Sequence, residues 1–160
     1  TTYFGCSPGD SGNPATANGL EFIEVQPEHS LDQIWLDAFS GNSVPPQLSG
    51  LGFLELGRNR LAPGGVLVQN LHQSRPNTFQ DQLKTTQAAF GQFLALDGQR
   101  CGNAIVFART PGGAPGPAWK KKELVAAAKK FGPRAGPYDL SKEMWKMKNV
   151  IPEPKARIIE

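Results

Sequence analysis

A helical repeat that stops at a Pro-Gly-Gly turn, followed at once by an apolar run, most constrains the fold of this chain. Leucines recur at helical spacing over Leu51–Leu61, and the helix is expected to stop at Ala62–Gly65, since proline and glycine follow helix ends. Val66–Leu71 has the sequence Val-Leu-Val-Gln-Asn-Leu, which predicts a strand. A helix joined to a strand by a short turn is typical of α/β folds.

Glycine and proline clusters divide the rest of the chain into short elements in the same way. The order strand, helix, strand, helix, hairpin is that of the second half of a doubly wound α/β fold. We also expect Trp35 to be a packing residue within its buried strand. The predicted elements are a short helical turn or helix at Gly19–Val25, a strand at Gln33–Phe39, a helix from Asn77 or Thr78 to about Gln92, strands at Phe93–Leu96 and Ala104–Ala108 with an Asp97-Gly98 turn, helices at about Trp119–Phe131 and Leu140–Lys148, and an extended end.

Composition places the chain among soluble globular proteins. The hydrophobic fraction is 39% and the mean hydropathy is −0.37. The sequence contains no apolar run near the roughly 20 residues that span a bilayer, and no secretory signal. We therefore expect an intracellular protein without a transmembrane segment. The first residue is Thr1 rather than Met, so we expect a processed chain or a fragment, and a plastid or mitochondrial location stays open.

Cysteine and histidine usage argues against a metal centre. Cys6 and Cys101 are too few and too far apart for a disulfide framework or a cysteine-based metal site. We expect two reduced thiols, with a single bridge between them as the alternative. His29 and His72 lie at ligand spacing neither from each other nor from a cysteine. The sequence therefore predicts no metal site.

Charge is unevenly distributed and suggests two regions. Residues 1–118 hold 6 Lys and Arg against 9 Asp and Glu, whereas residues 119–160 hold 11 against 5. We predict a partial α/β domain over 1–118 and a basic helical extension over 119–160 that ends in an extended tail. A basic tail on a mildly acidic body indicates an acidic partner surface, and we do not expect that partner to be nucleic acid. The alternative is that these lysines form a solvated helix face.

The segment Leu31–His72 carries the most specific motifs. Leu-Asp-Gln-Ile-Trp-Leu-Asp-Ala-Phe at Leu31–Phe39 precedes Ser-Val-Pro at Ser43–Pro45, and Leu-Ala-Pro-Gly-Gly-Val-Leu follows at Leu61–Leu67. Together these motifs resemble the spermidine-synthase-like (polyamine synthase) family, within the S-adenosylmethionine-dependent methyltransferase folds. The last motif recurs across that whole class, and the first two narrow the resemblance to the polyamine-synthase branch.

The resemblance extends over roughly residues 3–145. Tyr3-Phe4-Gly5, Gly19–Ile23 and Asn103–Arg109 are similar to flanking family segments. It implies the C-terminal half of a Rossmann-like class I methyltransferase sheet, with two parallel strands and a terminal antiparallel hairpin. Family members also carry a strand, a Gly-rich turn and a helix that hold the nucleoside. No Gly-x-Gly pattern follows a strand in this sequence.

The resemblance also implies candidate site residues. Family enzymes use an Asp after the fourth strand as a base that takes a proton from the substrate amine. Asp37 matches this position, although it could equally be a loop-capping carboxylate, and Ser40 stands where the family has a second Asp. Asn18 stands where the family has an adenine-contacting Asp, so Asn18 and Gly19 are weak candidates for cofactor binding. An Asn carbonyl oxygen still accepts a hydrogen bond.

Two hypotheses follow. The first is a non-catalytic subunit, a pseudoenzyme that has lost its cofactor-binding half, binds no cofactor and packs within a larger assembly. Protein partners would then cover the exposed apolar edge of the Gln33–Phe39 strand. The alternative is an active aminopropyltransferase or methyltransferase, completed by a missing N-terminal half. It would use Asp37 as base and decarboxylated S-adenosylmethionine or S-adenosylmethionine as cofactor.

Overall fold

The computed structural model describes residues 18–39, 44–98, 102–110, 121–131, 139–149 and 152–160. Helices and strands follow the predicted order, with boundaries that differ by a few residues. A short 3₁₀ helix at Pro46–Leu48 precedes the second helix. The elements are α1 Gly19–Glu24, β1 Leu31–Leu36, α2 Leu51–Arg60, β2 Leu61–His72, α3 Pro76–Phe90, β3 Phe93–Gly98, β4 Asn103–Arg109, α4 Lys121–Phe131, α5 Leu140–Lys146 and β5 Lys148–Asn149.

The described strands form one mixed sheet in the order β1-β2-β4-β3-β5. β1 and β2 are parallel and joined through α2, whereas β2 with β4 and β3 with β4 are antiparallel. β5 adds two residues beside β3. This arrangement confirms the predicted half of a doubly wound fold, with two parallel strands and an antiparallel hairpin.

The Pro-Gly-Gly segment lies inside β2 rather than before it. α2 ends at Arg60 and β2 begins at Leu61. The Pro-Gly-Gly segment, which we expected to stop the helix, instead forms an irregularity near the start of β2. Gly64 has a φ of +82°, and a Cβ there would lie 2.9 Å from the Arg109 guanidinium. The Thr110 hydroxyl holds this irregular segment by accepting from the Gly64 amide (3.0 Å) and donating to the Ala62 carbonyl oxygen (2.9 Å). Only glycine fits this backbone without strain.

The hairpin also differs from its predicted form. Asp97 and Gly98, expected to form the turn, lie in β3 and pair with Ala104 and Asn103 of β4. Gly102, which directly precedes β4, has a φ of +69°. An Asp-Gly pair favours a turn only through local conformational preference, and strand pairing overrode it here.

One face of the sheet forms the main core with α2 and α3. Side chains alternate along each strand, so one face receives Ile34 of β1, Leu67 and Leu71 of β2 and Val106 of β4. Leu83 of α3 packs into this cluster and is fully buried. Burying side chains of this size contributes about 1.5–3 kcal/mol each.

The opposite face is covered over β3 but open at β1. Trp35, Val68 and Leu94 belong to one cross-strand row, reached through Phe107 of β4. Val68 and Leu94 are buried, and α5 contacts β3, whereas Trp35 is 71% exposed. The expectation that Trp35 packs in a core is therefore wrong in this chain. Its neighbours Ile34 and Leu36 take the covered face, and the alternation of a strand forces Trp35 onto the other one.

The C-terminal region folds onto this sheet. α4 packs against α5, and Val125, Ala128 and Met147 are buried. Lys122, Lys129 and Lys130 of α4 are exposed. The division at residue 118 stays a prediction. No helix within the described ranges is long and apolar enough to cross a membrane.

Candidate functional site

The carboxyl ends of β1 and β2 meet at one edge of the sheet, where ligands bind in open α/β folds. Asp37 follows β1 directly, and its side chain is exposed. Asn70 lies near the end of β2, and its side-chain amide donates a hydrogen bond of 3.0 Å from Nδ2 to Asp37 Oδ1. The parallel pairing of the two strands therefore places a carboxylate beside an amide donor.

A third side chain extends this arrangement across the sheet. β4 runs antiparallel to β2, so its first residue, Asn103, lies at the same edge. Asn103 Nδ2 donates to Asn70 Oδ1 across 3.0 Å. The hydrogen bonds thus run in one direction, from Asn103 through Asn70 to Asp37. Oδ2 of Asp37 has no hydrogen-bond donor among the described residues.

The same edge carries a second set of polar contacts beside this chain. His72 ends β2 and pairs with Asn103 in the strand register. Its Nδ1 accepts from the Ser74 amide at 3.1 Å. Gln73 Nε2 donates to Asp97 Oδ1 at 3.2 Å. The edge therefore holds two amide-to-carboxylate hydrogen bonds on separate residues.

Three of the four sequence-predicted site residues lie within the described part of the chain. Asp37 lies at this edge of the sheet, whereas Ser40 lies outside the described residues. Asn18 is the N-cap of α1, and its Oδ1 accepts from the Leu20 amide at 3.1 Å. Gly19 is the first residue of α1, and a Cβ there would contact Leu48. Their roles in cofactor binding stay predictions.

Sequence reasoning did not single out Asn70 or Asn103. A signal for Asn70 was present, because it falls out of phase with the buried Leu67 and Leu71 and therefore faces the opposite side of the sheet. No such signal existed for Asn103, because only the register of β4 against β2 places it beside Asn70.

The chemistry of this site is that of an exposed carboxylate fixed by neutral amides. Such a group binds a protonated amine through a charge-assisted hydrogen bond, or accepts a proton from it. No group of three His, Cys, Asp or Glu that could hold a metal occurs among the described residues.

The described residues do not form a nucleoside site by themselves. α1 precedes β1, but its first turn is closed by its own Asn18 cap. No Gly-x-Gly pattern follows a strand in the sequence. A bound S-adenosyl group would therefore need residues beyond those described.

Solved structures of other proteins share this fold. A probable spermidine synthase from Corynebacterium glutamicum aligns over 70% of this chain and 43% of its own, with 20% identity and a TM-score of 0.56. Human methyltransferase-like protein 13 in complex with SAH aligns over 96% and 68%, with 21% identity and a TM-score of 0.67.

The chain thus spans less than half of that spermidine synthase and about two thirds of the methyltransferase. No protein-family model and no curated protein sequence matches it. At these identities the likeness concerns the fold alone. The order of strands and both structural comparisons agree, and the chain therefore has a partial spermidine-synthase/methyltransferase-like fold.

Proposed function

We propose that this chain forms the acceptor-binding half of an S-adenosyl-type transferase domain, in which Asp37 binds the amine of the acceptor. The observation that carries this proposal is the chain of hydrogen bonds from Asn103 through Asn70 to Asp37. It holds a carboxylate at the sheet edge where such folds bind ligands, and it leaves Oδ2 without a donor among the described residues.

Cationic ligands suit this site. An ammonium group donates up to three hydrogen bonds, and a carboxylate accepts at both oxygens. Asp37 would hold one end of a polyamine and accept a proton from the reacting nitrogen. The resemblance to spermidine synthases supports an aminopropyl transfer, and the methyltransferase neighbour, described with SAH, supports methyl transfer as the variant.

The proposal requires that the sheet be completed beside β1. β1 ends the described sheet, so its outer backbone groups lack a strand partner among the described residues. Trp35 is exposed on one face of the same strand. An unpaired edge beside an exposed aromatic residue favours the addition of another strand. That strand would come from the same protein, if it is longer, or from a partner chain.

A non-catalytic subunit is the second candidate, and the N-cap role of Asn18 favours it. Asn18 Oδ1, the acceptor that would contact adenine, is engaged by the Leu20 amide. Ser40 also lacks the charge of the second family carboxylate. In this case the outer side of β1 packs against a partner in an assembly, and the exposed lysines of α4 contact an acidic partner.

Titration of the purified chain with spermidine, followed by NMR, distinguishes the two candidates. We expect shifts of the side-chain amide signals of Asn70 and Asn103, and Asp37→Asn should weaken binding about tenfold, because an amide replaces a charged acceptor. Asp32→Asn is the matched control, since Asp32 is an exposed carboxylate near the start of the same strand. Equal spermidine affinity in both variants would remove the transferase proposal and leave the non-catalytic subunit.

A further inference from the structure

We infer that Asn103, which β4 contributes from across the sheet, is a positioning residue that orients Asp37 through Asn70. This inference rests on the proposed function, because it assigns Asn103 a role in binding at Asp37. The geometry that carries it is the pair of 3.0 Å hydrogen bonds on either side of the Asn70 side chain.

The donor-to-acceptor direction of the two hydrogen bonds follows from the carboxylate of Asp37, at which they end. An ionised carboxylate only accepts hydrogen bonds, so Asn70 must turn its NH₂ group towards Asp37. Its carbonyl oxygen then faces Asn103, which must supply a donor. If Asn70 rotated by half a turn, oxygen would face oxygen and NH₂ would face NH₂. Asn103 therefore stabilises the single orientation of Asn70 that binds Asp37.

Strand pairing on both sides holds the backbone of Asn103 in place. This residue is half-buried and pairs with His72 of β2 and Gly98 of β3, so strands on both sides fix its position. Asp37 lies just beyond β1, outside the strand ladder. A side chain outside the ladder retains rotamer freedom unless a contact removes it. The side-chain amides of Asn103 and Asn70 thus connect the Asp37 side chain to the paired strands of the sheet.

The fixed orientation of the Asp37 carboxylate should determine which ligands bind. Asn70 occupies Oδ1, so the ligand approaches Oδ2 and must donate a hydrogen bond to it. Primary and secondary amines carry N–H donors, whereas quaternary ammonium ions bring the same charge without a donor. The site should therefore prefer hexane-1,6-diamine over hexamethonium, the bis-quaternary ammonium ion with the same chain length and charge but no N–H donor. A mobile carboxylate in water would distinguish them less.

The test compares Asn103→Ala, Asn70→Ala and the double variant with Gln73→Ala. Gln73 is a matched control, because it also donates a side-chain amide to an exposed carboxylate, Asp97, at the same edge. We expect each single Asn variant to weaken spermidine binding about fivefold, since one hydrogen bond is lost. The double variant should lose no more than Asn70→Ala, because Asn103 acts through Asn70. Gln73→Ala should bind as the parent does.

Two further measurements separate positioning from general stability. Asn103→Ala should shift the NMR signal of the Asn70 side-chain amide and reduce the preference for hexane-1,6-diamine over hexamethonium, with the melting temperature nearly unchanged. If the alanine variant does not fold, Asn103→Thr keeps strand preference but has a hydroxyl too short to replace the amide.

The outcomes distinguish this inference from the proposed function. If Asp37→Asn does not weaken spermidine binding, the proposed function fails and this inference fails with it. If Asp37→Asn weakens binding but Asn103→Ala does not, or if the losses in the double variant add, only the positioning role of Asn103 is overturned.

Discussion

The backbone amide of Leu51 donates a hydrogen bond of 2.7 Å to the carbonyl oxygen of Ile159, so the C-terminal segment closes the N-terminus of α2. Gly50, the N-cap residue of α2, has no side chain that could do so. The same segment is held along α3, where the Ile159 amide donates to Thr85 Oγ1 (2.9 Å) and the Arg157 amide to Asp81 Oδ1 (2.7 Å).

Removal of this segment should destabilise the domain. A variant that ends at Pro154 loses the three backbone hydrogen bonds of Arg157 and Ile159, and we expect a loss of about 1–3 kcal/mol in the free energy of unfolding. In a chain of this size the melting temperature should fall by roughly 2–4 °C per kcal/mol, as measured by circular dichroism. Ile158→Ser is the control, because it keeps these backbone contacts. Equal melting of the truncated and parent chains would contradict the capping role.

Two glycines at the start of α2 should respond oppositely to alanine. A Cβ at Gly50 would lie 2.8 Å from the carbonyl oxygen of Glu160, whereas at Gly52 nothing lies within 4 Å. We expect Gly50→Ala to destabilise the chain by about 1 kcal/mol, because the tail must move and alanine is a poor N-cap. Gly52→Ala should stabilise it by about 0.5 kcal/mol through helix propensity. Urea unfolding measures both, and equal effects would refute the predicted tail contact.

A buried polar contact links α3 to β2. The hydroxyl of Thr86, fully buried, donates to Gln69 Oε1 at 2.8 Å, with the Gln82 carbonyl oxygen as a second acceptor at 2.9 Å. Thr86→Val leaves the Gln69 oxygen without this donor, and we expect a loss of about 1–3 kcal/mol in urea unfolding. Gln69→Leu in the same chain should restore most of it, because both polar partners are then replaced. A double variant less stable than Thr86→Val would contradict this explanation.

The start of α5 should be sensitive to acid. Hydrogen bonds from the Ser141 side chain and the Lys142 amide hold the pKa of Asp139 below its ordinary value of 3.8. Because the folded pKa is lower than the unfolded one, the capping contribution is complete above about pH 3.8 and is lost as pH falls through the folded pKa. NMR signals of the Ser141 and Lys142 amides should report fraying in that range.

Asp139→Asn provides the control for this pH dependence. Asparagine also caps helices but does not titrate, so the amides should keep their shifts on acidification. Asp139→Ala should fray the first turn of α5 at every pH. If the Asn variant frays with acid as the parent does, the pH dependence does not arise from Asp139.

Much of the fold could be predicted because local pattern and topology agree. Leucine spacing over α2, the apolar run of β2 and the two short apolar runs of the hairpin each indicate their element, and their order implies the sheet. Boundaries were less accurate, as at Asp97 and Gly98, because turn preference is local whereas strand pairing depends on both strands.

The candidate site was predictable only in part. Asp37 follows a recognisable strand and could be named from the sequence, through a family resemblance. Asn103 lies 66 positions later, and its contact with Asn70 depends on the register between β2 and β4. A one-residue slip in that register would turn Asn103 to the other face of the sheet.

The sequence by itself determined the type and order of the elements, because hydrophobic spacing and glycine and proline positions act locally. It also determined Asp37 as the candidate carboxylate. Only the tertiary structure decided that Trp35 is exposed, that the C-terminal segment caps α2, and that Asn103 reaches Asp37 through Asn70. These features join residues distant in sequence, so they depend on which faces and strands pack together, and no local pattern encodes that choice.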